Sequence, residues 1–478
     1  MKRSVLHGVA WVGGIMFLVR SVRYVALLIL GGLLSPVEFG VFAALFVVID
    51  GLALLQGFGI GHALIYRKRD TNEAADTSFL LSVSIGAALV VAAWFLAPVV
   101  ADFYREESMV PLFRAASVLL VIHGFRLVPF RLFEKALDFK KKLAPAIAGS
   151  VAYFITAIVL ALRGAGAWSL VLAQIASILF ETIAYWLVSP WRPTFTFNRR
   201  LAREDLSFGW VVVGGSALIF AFRNVDRVVI SRVLDTTALG AYAFAYSLAN
   251  LPATLFVRIL NTVLFPSYSS LDEDREQQRT LFMRATSFMA AAGLLYATCA
   301  VFFGRHFLTA MYADKWVASV VPLALLAVFA LFRSLFALVG DLLVATGHPN
   351  VFRATTGLQL LLAAAGLYFG ATVAGTTGVA AVMVGAQAVS LFVGWGLAAK
   401  IIGAGAAEFG RAVRGPLAAF AVAAAASALL ARSLPVQGGL YPLIGAIALV
   451  SAIFFAVWAA LDSKLRAELS ALRRSRRE

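Results

Sequence analysis

The chain has 478 residues, 61% hydrophobic and only 14% charged, with a mean hydropathy of +0.88. These values lie far outside the soluble globular range and define a polytopic membrane protein. The formal charge of +16 is spread between hydrophobic runs with no base-reading motif, so nucleic acid is not a partner, and the single Cys299 excludes an internal disulfide and a cysteine metal site.

Apolar runs of bilayer-spanning length recur fourteen times: approximately 9–34, 37–60, 78–100, 109–130, 143–162, 167–189, 207–234, 237–265, 281–303, 317–345, 351–373, 377–402, 412–431 and 440–461. Hydrocarbon offers no partners for backbone N–H and C=O groups, so spans this long must be helices. The first run carries Arg20 and Arg23 and no small-residue cleavage pattern, so it reads as a retained helix and not a signal peptide.

Alternate loops differ in Lys and Arg. With the N-terminus inside, about 26 of the 41 fall on the cytoplasmic side, among them Arg67 to Arg69, Lys140 to Lys142, and Arg473 to Arg477, against about 5 outside. The positive-inside rule therefore predicts cytoplasmic termini and an even number of spans. The connecting loops are short and leave no extramembrane domain for a soluble active site.

A repeat offset by 200 residues aligns Gly14 with Gly214, Arg23 with Arg223, Leu34 with Leu234, Gly40 with Gly240 and Ala43 with Ala243. With a small shift, Phe125-Arg126 lies over Phe332-Arg333, and a glycine followed by a glutamine recurs as Gly166 to Gln174 and Gly378 to Gln387. The expected architecture is all-α: about 14 transmembrane helices, as two pseudo-symmetric six-helix lobes plus two C-terminal helices. The lobes are residues 1–200 and 201–403, followed by 404–478 with two spans and a basic cytoplasmic tail. An even number of spans per copy gives both copies the same orientation, as in transporters that rock two lobes around a central site.

Charges inside the spans locate the candidate chemistry. Arg223, Asp226 and Arg227 share one helix face, and even a single charge left in hydrocarbon costs at least about 2.5 kcal/mol. Arg114, Arg232 and Arg284 lie within a turn or two of span ends, where snorkelling to headgroups accounts for them. Arg23, Arg126, Arg223, Arg227, Arg258 and Arg333 lie deeper, mostly in the first and fourth spans of each half, as the expected substrate-binding residues. Guanidinium grips phosphate oxygens in a bidentate fork, so a cavity of this kind implies an anionic substrate bearing phosphate or diphosphate. Structural ion pairing, Asp226 with Arg223 or Arg227, is the competing reading. Asp50, Asp226 and Asp341 are candidates for carrying a coupling ion, with Asp50 the freest of them; Glu181 is a further membrane carboxylate, and His123 a lone histidine beside Arg126. Pro252 and Pro322 are candidate kinks. No metal site is expected, and the chain lacks GxxxxGKS/T, HExxH and GxSxG, while Gly403-Ala404-Gly405 has no third glycine for a dinucleotide loop. Neither catalysis nor a cofactor is implied.

Leu34-Ser35-Pro36-Val37-Glu38-Phe39-Gly40-Val41-Phe42 joins the first two spans, with the counterpart Leu234-Asp235-Thr236-Thr237-Ala238-Leu239-Gly240-Ala241-Tyr242. With Arg223-Asn224-Val225-Asp226 and Leu264-Phe265-Pro266-Ser267, and the fourteen-span layout, the chain resembles the Wzx polysaccharide flippases, the polysaccharide transporter family. These belong to the multidrug/oligosaccharidyl-lipid/polysaccharide exporter superfamily. The resemblance covers residues 1 to about 460. It implies a bacterial inner-membrane protein that moves undecaprenyl-diphosphate-linked oligosaccharide to the periplasmic leaflet for O-antigen, capsule or exopolysaccharide. It further implies contact with membrane lipids and with polymerase and chain-length proteins. Three alternatives stay open: a multidrug or cation extruder of the same superfamily, disfavoured because arginines outnumber acids within the spans; a membrane polymerase or glycosyltransferase, disfavoured by the short outer loops; and a non-transporting scaffold.

Overall fold

A computed structural model of the chain describes residues 19–57, 64, 71–136, 141–251, 275–435 and 439–462, with side chains at all of these except 208–215. The described residues contain no β-strand. They form α1 (residues 19–33), α2 (Pro36–Gly57), α3 (Thr71–Tyr104), α4 (Met109–Lys135), α5 (Leu143–Leu162), α6 (Ala167–Val188), α7 (Arg199–Val233) and α8 (Thr236–Ala249). There follow α9 (Arg275–Tyr312), α10 (Val320–Ala345), the segment Pro349–Ile402, then α13 (Ala406–Ser433) and α14 (Leu440–Leu461). Pro349–Ile402 is broken at Ala374 and Gly375 into α11 (349–373) and α12 (376–402). The fourteen apolar runs thus become fourteen helices among the described residues. Among the described residues, ten helical segments are long and apolar enough to cross a membrane, with Pro349–Ile402 counted once.

The chain divides into two compact units, residues 1–240 and 241–478, so the boundary falls within α8. In unit 1, α3 packs on α4, α5 on α6, and α2 against α4 and α7. Its buried centre joins Ala75 and Phe79 of α3, Val128 of α4, Trp191 and Leu201. In unit 2, α10 packs between α9 and α12 through Phe282, Met289, Leu338, Leu342 and Leu391. The helices α13 and α14 close on α9 through Phe303, Ala419, Ala423, Val450 and Phe454.

The 200-residue repeat is visible in local geometry. At Leu34 and Leu234 the helix ends with the same backbone bond, to Leu30 O at 2.8 Å and to Ile230 O at 2.9 Å. The next helix starts one residue later with a side-chain cap. Ser35 and Glu38 form a capping box, with Pro36 between them, while Asp235 Oδ1 accepts from the Ala238 amide at 2.7 Å. Gly40 and Gly240 meet across this junction: a Cβ on Gly40 would collide with the Thr236 carbonyl, and one on Gly240 with the Pro36 carbonyl.

Gly166, between α5 and α6, has φ +55 and ψ −133, and Gly375, between α11 and α12, has φ +57 and ψ −140. The structural counterpart of Gly166 is therefore Gly375. Sequence alignment had paired it with Gly378, which instead lies inside α12, its α-carbon against the Gly370 backbone.

Two prolines interrupt helices in unit 1, and each interruption is repaired from another helix. Pro98 has no N–H for the Trp94 carbonyl four residues back. Arg114 Nε donates to that oxygen at 3.4 Å, its guanidinium lying over the Trp94 ring at 4.8 Å. Arg114, which sequence position assigned to headgroup snorkelling, thus has an internal backbone partner. Pro129 similarly strands the Phe125 carbonyl, which accepts from Trp186 Nε1 at 3.1 Å.

The α6–α7 connection is buttoned to the start of α3. Asp76, 3% exposed, accepts from the Thr194 amide at 3.3 Å, from the Thr194 hydroxyl, and from the Thr196 hydroxyl at 3.0 Å. Ser78 donates to Asp205 at 2.7 Å. Asn198 caps α7 by accepting from Arg200 N and Leu201 N, and its Nδ2 donates to Glu73 at 2.9 Å.

Candidate functional site

The first arginine cluster is built by α1, α4, α5 and α6, all in unit 1. Arg23 donates to Ser177 Oγ at 2.5 Å and lies over the Tyr153 ring at 5.0 Å. It also feels the charges of Glu181, Arg20 and Arg126. Arg126 pairs with Glu181 at 2.9 Å, and its second terminal nitrogen contacts His123 Nδ1 at 3.2 Å. A guanidinium has no acceptor, so Nδ1 must accept and the neutral ring carries its proton on Nε2. Arg23 thus has two like charges, Arg20 and Arg126, and one carboxylate, Glu181, in its neighbourhood. The cluster is cationic by count, and a single Glu181 holds Arg126 while facing Arg23.

The second cluster joins α2 to α7. Asp50 interacts electrostatically with Arg227 and Arg223. Asp226, on the same helix, is 0% exposed, and its Oδ1 accepts from the Arg227 amide at 2.8 Å. Two arginines here stand beside two carboxylates, so this cluster is balanced by count. The sequence expectation of a freer Asp50 is corrected: it faces the α7 arginines from a neighbouring helix.

In unit 2, Arg333 on α10 donates to the Tyr246 hydroxyl of α8 at 3.3 Å. Asp341 lies two turns further along α10, its Oδ2 buried and with no hydrogen-bond partner among the described residues. Arg258, with Pro252 and the Leu264 to Ser267 motif, lies outside the described residues.

The structure therefore brings together Arg23 and Arg126, and separately Arg223, Arg227, Asp50 and Asp226, while Arg333 belongs to unit 2. Sequence reasoning missed Ser177, Tyr153 and Tyr246 as arginine partners. Polar residues in apolar runs were the available signal, but serine and tyrosine are common in membrane helices. It named Glu181 without finding its mate, 55 positions away.

At the end of α4, Glu134 binds Arg131 at 2.7 Å and Lys142 at 3.1 Å. Three cations lie over the Phe130 ring: Lys142 at 4.3 Å, Arg131 at 5.5 Å and Arg126 at 5.8 Å. Beside them is a cavity of about 140 Å³, lined by Ala53, Gln56 and Gly57 of α2 and His123, Arg126, Leu127, Phe130 and Arg131 of α4.

An all-helical chain with charged helix faces of this kind has the fold of a multi-pass membrane transporter. The lipid II flippase MurJ in an inward closed conformation matches with a TM-score of 0.74, covering 93% of this chain and 98% of that one at 12% identity. Residues 29–321 match the family described as polysaccharide biosynthesis protein, and the chain belongs to that family. The lipopolysaccharide biosynthesis protein WzxC of Escherichia coli (strain K12) is 23% identical over 390 residues, 79% of this chain and 77% of that protein. The teichuronic acid biosynthesis protein TuaB of Bacillus subtilis (strain 168) is 24% identical over 364 residues, 76% and 75% of the two chains.

Proposed function

We propose that this protein is a flippase for undecaprenyl-diphosphate-linked oligosaccharide, carrying repeat units from the cytoplasmic to the periplasmic leaflet of a bacterial inner membrane by alternating access. The observation that carries the reading is the charge excess around Arg23, which feels Arg20 and Arg126 beside it and one carboxylate, Glu181, already paired with Arg126. Charges in a membrane interior are costly without a partner, and a diphosphate supplies the missing anion when substrate is bound. Arg223, Arg227, Arg258 and Arg333 complete the assigned contacts, with Asp50, Asp226 and Asp341 assigned to ion coupling. The chain performs no bond chemistry in this scheme. Both termini are cytoplasmic, and the product passes to a polymerase and its chain-length partner.

Complementation of a flippase-null strain tests the reading. Arg23→Ala and Arg333→Ala, neither of them in an ion pair that the substitution would break, are each expected to abolish surface polysaccharide at unchanged membrane abundance, and normal export from both removes the proposal. A cation extruder, the second reading, predicts the opposite pattern: loss of drug resistance on Glu181→Gln with polysaccharide untouched.

A further inference from the structure

The connection between α6 and α7 has two different sides. Thr194, Thr196 and Asn198 all reach the start of α3. The Thr194 amide and hydroxyl and the Thr196 hydroxyl donate to Asp76, the Asn198 amide donates to Thr77 Oγ1 at 3.2 Å, and Asn198 Nδ2 donates to Glu73. Side chains alternate along an extended chain, so the residues between these point the other way. Phe195 is 68% exposed and Phe197 51%. Neither belongs to an apolar run, since both fall in the polar stretch between the sixth run and the seventh. Phe195 also holds φ +57, a costly backbone for a bulky residue. Two threonines on one carboxylate bow the chain out at that point and turn its ring outward. Two large rings left outside any core gain by meeting an apolar surface beyond the chain.

The helix that follows carries the matching charge. In the first turns of α7, Leu201, Ala202 and Asp205 are buried, and Asp205 accepts from Ser78. Arg199, Arg200 and Arg203 lie on the opposite, exposed face. Arg200 pairs with Glu204 at 3.5 Å, both of them exposed, and such a pair contributes little. Arg199 and Arg203 have no carboxylate partner among the described residues. Aromatic rings beside clustered arginines are the composition of a segment seated in the membrane interface, with the rings among the upper acyl chains and the guanidinium groups at phosphate depth.

We propose that residues 194–203 form a membrane-surface strap that binds anionic phospholipid headgroups, with Phe195 and Phe197 as its apolar wedge and Arg199, Arg200 and Arg203 as its headgroup contacts. Asp76 presents the strap by holding its other side against α3. The occupant is lipid and not a partner protein because the surface begins just past Val188, where the apolar span of α6 ends, and its charge is complementary to an anionic leaflet. The basic loops put it on the cytoplasmic side. The inference goes beyond the flippase reading and holds whatever cargo the protein carries: lipid bound here fixes the front of α7 at the depth of the headgroups.

The test uses full-length protein in nanodiscs of phosphatidylcholine with increasing phosphatidylglycerol. Hydrogen exchange over residues 194–203 reports engagement of the strap, and the photoreactive variant Phe197→benzoylphenylalanine reports what that position touches. In wild type, exchange is expected to slow as phosphatidylglycerol rises and to recover at high salt, and the photoreactive variant to crosslink to lipid. Arg199→Gln, Arg200→Gln and Arg203→Gln combined are expected to weaken the apparent phosphatidylglycerol affinity on the order of a hundred-fold, from about five-fold per arginine. Phe195→Gly suits the left-handed backbone, so it is expected to melt no lower than wild type while binding about ten-fold more weakly. It carries the test should the triple variant fail to accumulate. Exchange indifferent to phosphatidylglycerol, wild-type affinity in the variants, or a crosslink to protein in place of lipid overturns the proposal. Export does not enter these measurements, so that result leaves the flippase reading standing. The expected lipid dependence in a protein that flips nothing overturns the flippase reading and leaves the strap.

Discussion

Trp186 of α6 donates its indole hydrogen to the Phe125 carbonyl of α4 at 3.1 Å, the acceptor that Pro129 leaves without a backbone donor. Trp186→Phe retains the edge contact with Phe79 but removes the donor, and is expected to destabilise the protein by about 1 kcal/mol. Pro129→Ala restores an N–H in the same place and should erase most of that loss in the double variant. Thermal unfolding in detergent of the two single variants and the double one gives the coupling energy; strict additivity would show that the indole bond does not repair the proline gap.

Glu181 is expected to behave as a structural counter-ion for Arg126. Glu181→Gln strands the guanidinium and lowers membrane abundance, while the double variant with Arg126→Gln recovers abundance and still fails to export. The pair is only partly buried, at 24% and 17% side-chain exposure, so the single-variant loss is at most about 3 kcal/mol. Immunoblots of membranes beside surface polysaccharide separate the two effects.

Gly166 and Gly375 hold backbone angles that only glycine tolerates, so Gly375→Ala is expected to cost about 1–3 kcal/mol, and Gly166→Ala the same. Gly378→Ala also destabilises, but by collision with the Gly370 backbone and not by torsion. Gly370 has no torsional demand on it, so a deletion of one residue before Gly375 is a sharper probe. It shifts the turn and should prevent accumulation, whereas near-normal melting of Gly375→Ala would dismiss the torsional argument.

Asp50→Asn removes the charge that α2 presents to Arg223 and Arg227. If Asp50 carries the coupling ion, flipping in vesicles becomes independent of an imposed proton or sodium gradient. Unchanged gradient dependence reduces the residue to a counter-ion.

The spans were legible because hydrocarbon forces long apolar segments into helices, and a period of 200 residues aligned the joint after Leu34 with the joint after Leu234, though not the different side-chain caps, Ser35 with Glu38 and Asp235 alone, that start the next helix. The pairing of Gly166 with Gly378 failed because a glycine's φ is invisible in sequence, and three residues of drift cost nothing in hydropathy. Arg126 and Arg23 were identifiable as misplaced charges, but their common carboxylate comes from a helix far along the chain. Repair of Pro98 by Arg114 was equally hidden, since the kink appears in sequence and its donor does not. The cavity beside Phe130 depends on the register of α2 against α4, which hydropathy does not encode.

Asn198 performs two tasks with one amide: its oxygen closes the first turn of α7 and its nitrogen holds Glu73. No other side chain of that length has both a donor and an acceptor, since aspartate would repel the glutamate and serine falls short of it. Tugging on the α6–α7 connection therefore frays the front of α7, and any swing of that helix must be felt at the foot of α3.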